Sequence, residues 1–127
     1  MENNDEVLRI LETKKVLQVK RAMIDGSSFD DISAKNMKIC NANLSDLEIE
    51  GAQIGGAFIH NIGMPPKGHA MYDPDARQRP VRFENCDLHG SAITNCNLEN
   101  LEINDCNVSG LKVNGILLAD LLKSYKK

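Results

Sequence analysis

The sequence predicts an all-β solenoid closed by a short helix at each end. Three features of the 127 residues point there. A large apolar residue recurs every five positions, a smaller or apolar residue stands two positions before each, and Gly, Asn or Asp stands two positions after nearly all of them. A period of five with a turn residue in each unit does not fit a helix, whose period is about 3.6.

The first block, residues 16–61, has its centres at Val19, Ile24, Phe29, Ala34, Ile39, Leu44, Ile49, Ile54 and Ile59. Ala34 is the weak member. The second block, residues 81–120, runs through Phe83, Leu88, Ile93, Leu98, Ile103, Val108, Val113 and Leu118. The preceding small positions include Ala42, Ala52, Cys86, Ser91, Cys96 and Cys106, and the two positions together are expected to face an interior. The corner two residues after each centre is Gly, Asn or Asp throughout, from Gly26 to Asp120, except at Arg21. These types tolerate left-handed or tight-turn backbone. A unit of this size cannot bury its own apolar pair, so successive units are expected to wind and stack.

Units such as Ala42-Asn43-Leu44-Ser45-Asp46 and Cys96-Asn97-Leu98-Glu99-Asn100 resemble the A(D/N)LxX consensus of the pentapeptide-repeat family. The resemblance covers roughly residues 17–61 and 81–120. It implies a right-handed quadrilateral β-helix with four repeats per coil, hence about four coils over a rod of about 20 Å at the usual strand spacing.

Composition agrees with one domain, residues 1–127, and with little conventional core. Charged residues are 26% and aromatics 4%. No apolar run reaches the ~20 residues of a membrane span, and the acidic start is unlike a signal peptide, so a cytoplasmic location and no membrane partner are expected. Cys40, Cys86, Cys96 and Cys106 lack zinc-site spacing and are read as reduced thiols; the last three are expected as small buried fillers, and Cys40 as outward-facing, the one candidate for a reactive thiol although no neighbouring cation activates it.

Residues 1–15 are expected to form the N-terminal cap, a short helix N-capped by Asn4 or Asp5 with Val7, Leu8, Ile10 and Leu11 on its apolar face. Residues 119–127 are expected as a C-terminal helix, with Leu118, Leu121, Leu122 and Tyr125 at helical spacing. Such ends cover open strand edges, or pair two copies in a homodimer through the C-terminal helix.

Between Ile59 and Phe83 lie 24 residues, one short of five periods, so the chain must leave the repeat and return. Residues 62–80 hold all four prolines (Pro65, Pro66, Pro74, Pro80) and are expected as an inserted loop. Tyr72, Arg77 and Arg79 are its best candidates for binding another protein, because aromatic and Arg side chains dominate interface energetics.

No catalytic, cofactor-binding or metal-ligating set is expected. His60, His69 and His89 have no nucleophile or carboxylate placed beside them by the repeat. The function expected is that of a non-catalytic, protein-binding scaffold. A DNA-mimicking ligand of gyrase or topoisomerase is the alternative that the resemblance allows and the acidic residues 81–120 encourage. Charge opposes it: a duplex presents about 12 negative charges over ~20 Å, whereas the whole chain nets −3. The basic residues lack aromatic partners, which argues against direct nucleic-acid binding.

Overall fold

The computed structural model describes residues 6–125. The chain divides into two units, Met1–Ala57 and Phe58–Lys127. The described part of the first contains no helix or strand. In the second, β1 (Lys112–Val113) pairs antiparallel with β2 (Ile116–Leu117), and α1 (Leu118–Tyr125) follows directly.

The corners adopt the backbone that their residue types favour. Asp31, Asn36, Asn41, Asp46, Asn61, Asn85, Asn95, Asn100 and Asp105 all have positive φ, as do Gly26, Gly51, Gly56, Gly90, Gly110 and Gly115. Arg21, the one corner of the wrong type, is also left-handed at φ 49°. That conformation costs an L-residue about 1–2 kcal/mol. Asp120 departs in the other direction, lying inside α1.

Within this five-residue rhythm is a ten-residue alternation. Every second unit closes a backbone hydrogen bond from the residue three past its centre: Ser27 to Ile24, Met37 to Ala34, Leu47 to Leu44 and Ala57 to Ile54, at 2.9–3.3 Å. Ser91 to Leu88, Leu101 to Leu98 and Leu111 to Val108 continue it in the second block. Positive φ at the third turn residue but not the second is the type II pattern, which suits Gly or Asn there. In four of these units the residue before the centre adds a side-chain brace. The carboxyl or amide oxygens of Asn43, Asp87, Asn97 and Asn107 each accept the backbone N–H two residues on, at 3.0 Å.

These local structures do not close into the expected solenoid, and the right-handed quadrilateral β-helix is not formed. Among the described residues no strand ladder joins one turn to another, and no side chain is buried. Centres expected inside lie open, with Ile49 63% and Ile93 66% exposed. Cys86, Cys96 and Cys106 are likewise exposed, not buried fillers. The physical difference is one of range. A corner is decided within about four residues, and the braces use inside their own unit the N–H groups that a ladder between coils would need. Coil closure requires partners about twenty residues away, at a loop-closure cost that local chemistry does not offset.

The N-terminal cap helix is also absent. From residue 6 onward the segment is irregular, and Glu12 has φ 48°, outside any helix. So short a segment has no packing partner to stabilise it. Asn4 and Asp5 lie outside the described residues.

At the C-terminal end the repeat gives way to a hairpin. Asn114 (φ 51°) and Gly115 (φ 79°) are both left-handed, the two-residue type I′ turn that Asn-Gly favours, and they set Val113 opposite Ile116 and Lys112 opposite Leu117. The centre expected at Leu118 therefore opens α1, and its N–H donates to the Leu111 carbonyl at 2.8 Å. Asp120 in the first turn and Lys123 in the last agree with the helix dipole. α1 has no coil to cover; Leu118 and Leu122 instead line an open recess together with Val108 and Leu111, and Val108, Leu111 and Leu118 are half-buried. A Cβ at Gly115 would meet nothing within 4 Å, so Gly115→Val tests torsion alone. It is expected to cost about 1–3 kcal/mol, read as a lower urea midpoint for loss of helical circular dichroism.

Candidate protein-binding loop

Residues 62–80 are built from three consecutive turns. The His69 N–H donates to Pro66 O at 3.0 Å, Tyr72 N–H to His69 O at 3.0 Å, and Ala76 N–H to Asp73 O at 3.2 Å. Each has its local cause. Gly68, at φ 98°, supplies the left-handed third residue of the first turn. In the third, Pro74 fixes the second position and Asp73 accepts the Asp75 N–H at 3.0 Å, an Asx turn. Between them the His69 ring takes part: Nδ1 accepts the Met71 N–H at 3.0 Å, which places the neutral ring's proton on Nε2. The prolines thus mark a loop with a defined backbone.

Tyr72 ends the second turn with its side chain 42% exposed. The Asp73–Ala76 turn separates it from Arg77 and Arg79, both exposed, in a stretch without turns. Pro65 and Ala76 are the half-buried residues of the loop. Beyond it, Arg82 meets Glu84 at 3.3 Å, an exposed pair that adds little.

Sequence reasoning missed two contributors. His69 reads as an isolated loop histidine but braces the chain. His60 reads as a lone outward histidine, yet its ring stacks on Phe58 with centroids 4.1 Å apart and planes at 16°. Phe58 is 80% exposed, so the pair is an open aromatic surface just before the loop. The signal was available: two rings two residues apart in an extended chain share a side.

The four thiols are free and exposed. Three repeat one geometry: Cys86, Cys96 and Cys106 each donate through Sγ to the carbonyl two residues earlier, of Glu84, Thr94 and Asn104, at 3.1–3.3 Å. Among the described residues no three His, Cys, Asp or Glu side chains gather as a metal site would need, and no helix is long and apolar enough to cross a membrane. No family model matches the chain, and neither a curated protein nor a solved structure is found to be similar to it.

Proposed function

We propose that this chain is a non-catalytic, cytoplasmic protein-binding element whose recognition segment is residues 62–80. The observation that carries the reading is that the loop is held by three successive turns and still leaves Tyr72 partly exposed, ahead of Arg77 and Arg79. A preorganised loop loses less entropy on binding than a free one, and Tyr and Arg are among the residue types enriched at interface hot spots. The Phe58–His60 stack stands just before the loop in the chain. Within this reading the repeats act as a carrier, in keeping with the sequence resemblance to pentapeptide-repeat proteins. The test is a pull-down with the intact chain and with a variant whose residues 62–80 are replaced by a short Gly/Ser link. A partner captured by the first and lost by the second supports the reading, whereas equal capture by both removes the loop from it.

A further inference from the structure

A folded monomer of 14.0 kDa exposes about 6,700 Å², and its unfolded chain about 20,000 Å². This chain exposes 14520 Å². The excess, about 7,800 Å², is roughly ten times what one partner contributes to a standard interface of about 800 Å² per side. Much of it is apolar and regular: the large centres from Ile24 to Ile103 are between 46% and 66% exposed. Soluble monomers rarely leave contiguous apolar surface beyond a few hundred Å².

We infer that these rows are covered by a second copy of this chain. Spacing is the first reason. A partner that covers the rows must present apolar side chains at five-residue steps, and another copy does so by construction. Charge is the second. From Arg9 to Lys38 the chain carries seven cations (Arg9, Lys14, Lys15, Lys20, Arg21, Lys35, Lys38) against four carboxylates (Glu12, Asp25, Asp30, Asp31). Residues 81–120 carry six carboxylates against two cations. The basic stretch of one copy and the acidic block of another are opposite in sign, and two-fold symmetry repeats that match twice over. The inference rests on the repeat rows and not on the loop, so it stands or falls apart from the proposed function.

The experiment is light scattering on the full chain over a range of concentration, with urea melts followed by circular dichroism. The expected mass is twice 14.0 kDa. Because folding and association are then one process, a tenfold rise in concentration is expected to add about 1.4 kcal/mol, moving the urea midpoint up by roughly 0.5–1.4 M. The Gly/Ser loop variant is expected to keep the mass of the parent, and the double variant Ile49→Asp, Ile93→Asp to fall to half of it. A monomeric mass at every concentration overturns the inference, whether its melt is cooperative or absent. A double variant that keeps the parent mass overturns it as well, as does a chain that is monomeric until a different protein is added.

Discussion

Tyr72→Ala is expected to weaken capture of the loop's partner about thirty-fold or more, and replacement of residues 62–80 to abolish it. A hot-spot aromatic is worth about 2 kcal/mol or more on truncation, and each 1.4 kcal/mol is about tenfold in affinity. Arg77→Ala and Arg79→Ala are expected to cost less singly, and that cost is expected to shrink as salt is raised, because exposed charges are screened. The fold should tolerate Tyr72→Ala, since Tyr72 joins the second turn through its backbone N–H. Titration of the immobilised partner by each variant, beside its circular dichroism, checks the point. Equal affinity for Tyr72→Ala and the parent would place recognition elsewhere, with the Phe58–His60 stack next in line.

Leu111→Asp is expected to melt α1. The helix has eight residues, below the ~12–15 at which helices hold alone, so it depends on what it packs against. That support is small: Leu111, Leu118 and Val108 are only half-buried, and the Leu118 N–H to Leu111 carbonyl bond ties the helix start to the chain before the hairpin. A carboxylate among these apolar groups is expected to cost about 1–3 kcal/mol, enough to empty so short a helix. The measurement is the helical circular dichroism of the variant. Ser124→Gln, at an exposed position of the same helix, is the control and is expected to stay close to the parent.

What the sequence revealed and what it did not separate by distance along the chain. Each corner was legible because Gly, Asn and Asp answer a question posed by their immediate neighbours, and the structure puts Asn36, Gly56 and Asn95 in the left-handed region accordingly. The ten-residue alternation was within reach too, through Asn97 and Asn107 preceding their centres and through the cysteine spacing. The Asn114-Gly115 hairpin was written in the sequence but masked by a repeat that also places Gly at that position. The closed coil was read from periodicity, and periodicity locates apolar residues without saying what will cover them. Ile49 and Ile93 fit an interior row, yet they stand exposed. Of the candidate loop, the boundaries and Tyr72, Arg77 and Arg79 came from composition. The bracing by His69 needed coordinates, because a ring nitrogen accepting a backbone N–H two residues on leaves no compositional trace.

The central claim is that the repeat rows are open within one chain and closed only by another. Cys86, Cys96 and Cys106 sit in those rows two residues before their centres, while Cys40 follows its centre and serves as an internal reference. The most direct measurement is the alkylation rate of each thiol, read by mass spectrometry over a range of protein concentration and again in urea. In dilute protein Cys96 is expected to react at nearly its rate in urea, and with rising concentration to slow about tenfold relative to Cys40, equivalent to about 1.4 kcal/mol of protection. Slow alkylation of Cys96 that dilution leaves unchanged would contradict the claim, because the row would then be covered by its own chain.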